Sequence, residues 1–341
     1  MAELPLRSST ARHAAPRHGF TLTEMLVVIG IIALLVGILL PALSAVQRKA
    51  RRAETENLMQ EFAKACENFQ QQFGFYPGIV PDAILNQDPK ISSTENALLH
   101  LCGGAIPQDD PNYAASPWTE VTFNGGSLGT FRIKLNTFTS DGQTYTRIGE
   151  GPRIRGTQYK SFFSPKATDL VAVKGQGIGA NAGAADPYHI PDLVDSWGQP
   201  IVYMRQLREN GSTLVRGATA NESLNDSMFA YGPIRPYVES VELGELSADQ
   251  TASVLNAAAA ANRNPTLAQI IRNVSYGPAN QPNQGQKRGA IALISAGPDG
   301  VYFSKFDGIG TPNNPQTDVI NTTKGPAAIE EYDDVRVFAG G

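Results

Sequence analysis

The chain has 341 residues, 41% hydrophobic and 18% charged, with a formal net charge of −4 and a pI near 5.7. That length allows one large or two modest domains, and a sizeable core needs no disulfide or metal to fold. The mild acidity argues against a nucleic-acid binder with a broad basic face. The 33 glycines and 23 prolines point to a turn-rich globular body, not to a fibrous or wholly disordered chain. Two cysteines and four scattered histidines cannot build a structural zinc site of the four-cysteine type.

The first element is apolar. Residues 1–19 carry Arg7, Arg12 and Arg17 against the single acid Glu3. From Met25 to Val46 the chain runs 22 residues without a charge. As a helix this stretch reaches about 33 Å, enough to cross a hydrocarbon core of about 30 Å. The basic flank before it places residues 1–19 in the cytoplasm, although Arg48, Lys49, Arg51 and Arg52 beyond it weaken that signal. A secretory signal fits poorly, because the small residue Gly19 precedes the apolar run and does not follow it. A plain membrane anchor leaves Glu24 unexplained, since a lone carboxylate at the head of such a run is costly in lipid and calls for a partner.

The segment Arg17-His-Gly-Phe-Thr-Leu-Thr-Glu-Met-Leu-Val-Val-Ile-Gly-Ile-Ile resembles the processing site of type IV pilins and type II secretion pseudopilins. The resemblance implies cleavage between Gly19 and Phe20 by prepilin peptidase and N-methylation of the new Phe20 amine. Residues 1–19 would then be a leader and residues 20–43 a transmembrane and filament-core helix. Pro41 falls where the family often carries a helix-bending proline, and it would free the carbonyl of Gly37. In a filament, Glu24 of one subunit would meet the positive Phe20 amine of the next and set the axial register. The other reading is that Glu24 serves only recognition by the peptidase.

Residues 44–73 lack proline and glycine. Val46, Ala50, Ala53, Leu58, Phe62, Ala65, Cys66, Phe69 and Phe73 recur mostly at intervals of three or four, an amphipathic stripe. Arg48, Arg52, Glu56, Gln60, Lys64, Glu67 and Gln71 form the opposite face. Gly74 ends the helix, and Phe75-Tyr-Pro-Gly78 resembles the segment that follows the long helix in pseudopilins.

Residues 79–341 read as a β-rich globular domain with large insertions. A short helix is expected near Ser93–Leu101, with Thr94 as a cap. Phe131–Asn136 and Thr144–Ile148 read as strands joined at Ser140-Asp-Gly142. Asp195-Ser-Trp-Gly-Gln-Pro200 leads into a strand and resembles a segment of the major pseudopilin, with Trp197 lying on the sheet. Helices are expected from Ser247 to about Asn262 and from Pro265 to about Asn273. Gly289–Ser295 and Val335–Phe338 complete the strands. The expected fold is α+β: a long N-terminal helix, transmembrane and then amphipathic, on an antiparallel sheet.

The loop Ser295-Ala-Gly-Pro-Asp-Gly300, with Phe306-Asp-Gly308 and Tyr332-Asp-Asp-Val335, is similar to the calcium-binding loop of the major pseudopilin. That resemblance implies Ca²⁺ held by Asp299, Asp307 and Asp333, with Asp334 as a substitute and the Ala296 and Val301 carbonyls assisting. Calcium takes six to eight hard oxygens from such flexible loops. The bland alternative is a plain Pro-Asp-Gly turn.

Catalytic signals are weak. Gly175–Gly179 lacks dinucleotide-loop spacing, no Walker motif is present, and Ser295 lacks the first glycine of a nucleophile elbow. His100 and His189 have no nearby Ser or Cys partner in sequence. Cys66 and Cys102 form a disulfide in an oxidising compartment or remain free and buried. The expected protein is therefore a non-enzymatic, single-pass inner-membrane filament subunit with its globular domain outside the cytoplasm. Expected partners are copies of itself, prepilin peptidase, other minor pilins or pseudopilins and an inner-membrane assembly platform, with no nucleic acid. The alternative is a membrane-tethered periplasmic binding module or enzyme carrying a pilin-type leader.

Overall fold

The computed structural model describes residues 21–85, 87–88, 90–171, 188–205, 272–273, 286–304 and 332–340. The chain divides into two compact units, Met1–Lys49 and Ala50–Gly341. Helix α1 (Leu22–Phe73) begins in the first and ends in the second. The fold is α+β and pilin-like, a long apolar N-terminal helix followed by antiparallel sheets.

In the first unit, α1 presents its large apolar residues from Leu22 to Val46 to the outside. This is the inverse of a soluble helix, and the stretch is long and apolar enough to cross a membrane. Pro41 lies within the helix, and Ser44 Oγ donates to the Pro41 carbonyl at 2.8 Å.

In the second unit the helix turns amphipathic. Thr55, Met59, Phe62, Ala63, Ala65, Cys66 and Phe69 are buried, at the spacing of one helical face. The stripe is therefore shorter than its sequence pattern: Val46, Ala50 and Ala53 are exposed, and burial starts at Thr55. Gly74 ends the helix with φ +78°, a conformation that glycine adopts without strain. Short helix α2 (Asp82–Leu85) and helix α3 (Ser93–Cys102) follow. Ser92, not Thr94, caps α3: its hydroxyl accepts from Glu95 N–H, and the Glu95 carboxylate accepts from Ser92 N–H.

The strands in chain order are β1 (Ala105–Pro107), β2 (Thr119–Asn124), β3 (Thr130–Leu135), β4 (Thr137–Ser140), β5 (Gln143–Thr146), β6 (Arg153–Ile154) and β7 (Thr157–Gln158). They continue with β8 (Leu170–Val171), β9 (Asp192–Leu193), β10 (Val202–Arg205), β11 (Arg272–Asn273), β12 (Gln286–Lys287), β13 (Ile291–Ser295) and β14 (Val335–Ala339). The expected single sheet is divided. One three-stranded sheet has the order β1-β3-β2 and another β10-β13-β14, all antiparallel. The turn at Ser140-Asp-Gly142 forms, with positive φ at Asp141 and Gly142, but it joins β5 to β4 and not to β3. Arg272 and Asn273, expected to end a helix, pair as strand with Lys287 and Gln286. The expected helix from Ser247 to Asn262 lies outside the described residues, as does the rest of the one from Pro265.

Two apolar clusters hold this unit. Met59, Phe62, Cys66 and Phe69 of α1 meet Leu98 and Leu101 of α3 and Tyr203, Ile291 and Leu293 of the β10-β13-β14 sheet. Each fully buried large apolar side chain here contributes about 1.5–3 kcal/mol. All five residues of β13 are buried, which explains its unbroken apolar run. The second cluster sets Ile84, Leu85 and Leu99 against Val121, Phe123, Ile133 and Leu135 of the β1-β3-β2 sheet. Helix α3 also closes the edge of β10. Thr94 Oγ1 donates to Ile201 O at 2.6 Å and accepts from Tyr203 N–H at 3.1 Å, while Ser93 Oγ donates to Tyr203 O.

Candidate functional site

The head of α1 is a capping box. The Thr21 hydroxyl accepts from Glu24 N–H at 3.2 Å, and the Glu24 carboxylate accepts from Thr21 N–H at 2.8 Å. The Thr21 hydroxyl also donates to the same carboxylate at 2.8 Å. Glu24 thus sits in the first helical turn, where the positive end of the helix dipole favours a carboxylate. Gly19 and Phe20 lie outside the described residues.

A second polar centre sits where α1 enters the globular unit. Asp195 is buried, and its Oδ1 accepts from Trp197 N–H and Gln199 N–H, each at 2.9 Å. Its Oδ2 accepts from Ser295 Oγ at 2.6 Å. Burial pushes the Asp195 carboxyl above its usual range, opposed by these donors. The next residue, Ser196, reaches α1: its N–H donates to Thr55 Oγ1 at 3.1 Å and its hydroxyl to Glu54 at 3.0 Å. Gly198 takes φ +84° in this turn, and half-buried Trp197 packs on the core as the sequence suggested.

The loop after β13 leads from this centre. Ser295 Oγ accepts from Gly297 N–H at 3.2 Å, and Asp299 Oδ1 accepts from Val301 N–H at 2.8 Å. Gly297 packs so tightly on Asp333 that an added Cβ would stand 2.9 Å from the Asp333 carbonyl oxygen. Asp334 is fully buried, and both of its oxygens accept from Phe303 N–H, at 3.0 and 3.1 Å. Burial first, and then the neighbouring Asp333 and Asp299 charges, raise its carboxyl well above the ordinary value, against the pull of the Phe303 amide. The structure thus brings Asp299, Asp333 and Asp334 into one neighbourhood, with Asp334 holding backbone. Asp307 lies outside the described residues, among which no group of three or more His, Cys, Asp or Glu side chains is arranged to hold a metal. Carboxylate and carbonyl oxygens on a glycine loop are the donor type that a hard cation takes.

The remaining candidates are absorbed by packing. His100 accepts from Gly78 N–H through Nδ1 at 3.0 Å, and burial lowers its pKa to about 3. His189 bonds Thr144 O through Nδ1 at 2.7 Å. Cys66 and Cys102 are free, buried thiols, so the disulfide alternative does not form. Two features have no local signal in the sequence. The Asp195–Ser295 bond spans 100 positions, and the buried Arg205–Asp82 ion pair, at 2.7 Å, spans 123. No spacing rule links residues so distant.

Residues 15–40 match the family model described as the prokaryotic N-terminal methylation motif. No curated protein and no solved structure matches the chain. The chain therefore carries a type IV pilin-like leader motif, which implies processing by prepilin peptidase and pilus-type assembly. That motif runs into an apolar helix compatible with membrane anchoring.

Proposed function

We propose that the chain is a structural subunit of a type II secretion pseudopilus or type IV pilus-like filament, nearest in character to the major pseudopilin. The observation that carries this reading is the coincidence of the methylation motif over residues 15–40 with an outward-facing apolar helix headed by Glu24. Cleavage after Gly19 releases the Phe20 amine, which is then methylated. In the isolated chain Glu24 is held by Thr21. On assembly its charge is matched by the Phe20 amine of an adjacent copy, because either charge left alone in lipid is costly. The globular unit lies outside the cytoplasm and works by mechanical displacement, with other pseudopilins and an inner-membrane platform as partners.

Calcium at the loop after β13 is part of the same proposal. Asp299 and Asp333, with Asp307 and the Ala296 and Val301 carbonyls, supply hard oxygens, and Asp334 supports the loop from beneath. When bound, the ion would supply positive charge to a loop that gathers carboxylates.

Two measurements test the filament reading. Intact mass of the mature chain is expected to show loss of residues 1–19 and gain of one methyl group. Glu24→Ala is expected to insert in the membrane yet fail to form filaments. A retained leader, or normal filaments from Glu24→Ala, overturns it.

A further inference from the structure

The turn of α1 just past the apolar run is strongly basic. Arg48, Lys49, Arg51 and Arg52 place four cations in five residues, and no acid occurs from Met25 to Ala53. All four are exposed, and none forms an ion pair among the described residues. The next acid, Glu54, accepts from the Ser196 hydroxyl. Lys64, the next cation, differs: it stands between Glu61 and Glu67, about 18 Å further along the helix.

Arg51 and Arg52 also lie on a particular face. Thr55 follows them by four and three positions, and Met59 follows Arg52 by seven, so these residues share one side of the helix. Thr55 and Met59 are buried in the globular unit, whereas the two arginines are exposed. The covered face of α1 therefore continues as a basic face. The four cations begin two residues after Val46, the last apolar residue of the run. At a rise of about 1.5 Å per residue their backbone stands about 3–9 Å beyond the hydrocarbon, at the depth of lipid headgroups.

We propose that Arg48, Lys49, Arg51 and Arg52 form a docking face for anionic phospholipid headgroups, which hold α1 at a fixed depth before assembly. This rests on the membrane-anchored filament reading above. Headgroup phosphates surround every copy in the bilayer, and each cation stands within about a Debye length, roughly 8 Å, of their charge. Both residue types are served, since a phosphate accepts from a guanidinium or an ammonium. A neighbouring copy is the poorer partner at this level: the same apolar run sets it at the same depth, where it presents the same four cations.

The test uses the full chain in nanodiscs of phosphatidylcholine with phosphatidylglycerol as the anionic probe, and native mass spectrometry counts the lipids that stay bound. Phosphatidylglycerol is expected to be retained at least about fivefold over its share of the bilayer, the worth of a single cation at such a surface. Arg48→Gln, Lys49→Gln, Arg51→Gln and Arg52→Gln together are expected to remove the preference, and Lys64→Gln to leave it intact. A second variant, Arg48→Lys with Arg51→Lys and Arg52→Lys, keeps the charge and is expected to keep the preference, which separates lost charge from a lost fold. No preference in the wild type, a preference that survives the four glutamines, or its loss in the lysine variant overturns the lipid face and leaves the filament reading standing. Displacement by inorganic phosphate beyond that caused by chloride at equal ionic strength does the same, and assigns the face to a free anion. A chain that does not enter the bilayer at all overturns both.

Discussion

The Ser295 hydroxyl donates to the buried Asp195 carboxylate at 2.6 Å, tying the end of β13 to a turn 100 residues earlier. That turn grips α1 through Ser196, Thr55 and Glu54. Ser295 also receives Gly297 N–H, so one hydroxyl serves both the turn and the Asp299 loop. Removing it as Ser295→Ala leaves a buried carboxylate and a backbone amide short of a partner. The expected loss is about 1–3 kcal/mol. Urea unfolding of the detergent-solubilised chain, followed by tryptophan fluorescence, measures it. A variant as stable as the wild type would show that the bond carries no net weight.

The Arg205–Asp82 pair makes a sharper case. Arg205 Nε meets Asp82 at 2.7 Å, its Nη1 donates to Tyr76 O at 2.7 Å, and both side chains are largely buried. Asp82→Ala strands a buried guanidinium and is expected to cost about 3–5 kcal/mol. Replacing both members, Asp82→Leu with Arg205→Met, removes the uncompensated charge and should cost markedly less. Equal losses in the single and the double variant, read by the same unfolding assay, would count against this account.

His100 gives the globular unit a specific acid sensitivity. Burial lowers its folded pKa from 6.5 to about 3, so the folded chain keeps it neutral while the unfolded chain takes up a proton. The stability it contributes is full above pH 6.5 and is lost as pH falls towards the folded value. The slope is about 1.4 kcal/mol per pH unit. His100→Asn can still accept from Gly78 N–H but does not titrate. Urea midpoints of wild type and variant should therefore converge as pH drops from 7 towards 4. Parallel curves over that range would remove His100 as the cause.

What the sequence made legible follows how local each signal is. Helix α1 is readable end to end because its apolar run, its stripe and Gly74 are all local. The turn at Asp141-Gly142 is readable for the same reason. The partner of β5 differs from the expected one because β4, Thr137-Phe-Thr-Ser140, is mostly exposed and polar and lacks the apolar alternation of β3. Sequence does not separate Ser92 from Thr94 as the cap of α3, because the two are equivalent by residue type. Only the fold shows that Thr94 is spent on the edge of β10. At the site, the leader and Glu24 were visible as motif, and the Asp195–Ser295 bond was not, since its members meet only after the sheet is built.

Calcium, if it occupies the loop after β13, must stabilise the folded chain by mass action. At a free concentration 100 times its dissociation constant the gain is about 2.7 kcal/mol. Addition of Ca²⁺ after chelation is expected to raise the thermal midpoint of the wild type. Asp299→Ala and Asp333→Ala should each abolish the rise, and magnesium should not reproduce it. A midpoint indifferent to Ca²⁺ would leave the Pro-Asp-Gly segment as a turn alone.

The thiols supply a prediction that separates the two sequence alternatives. Cys102 Sγ donates to Phe163 O at 3.2 Å, and burial pushes its pKa up to about 12. Burial likewise raises the Cys66 thiol well above its ordinary value, only partly opposed by the Tyr203 hydroxyl. Thiolate is the reactive form, so both groups are inert at neutral pH while the core is closed. The native chain, without reductant, is expected to react with no Ellman reagent, and the denatured chain with two equivalents. A disulfide would give none in either state, and an open core would give two in both. The first outcome requires the folded chain to keep the pair reduced even in the presence of an oxidant. It does so because Cys66 and Cys102 close into the cluster of Phe62, Phe69 and Phe163, where an oxidant cannot reach them.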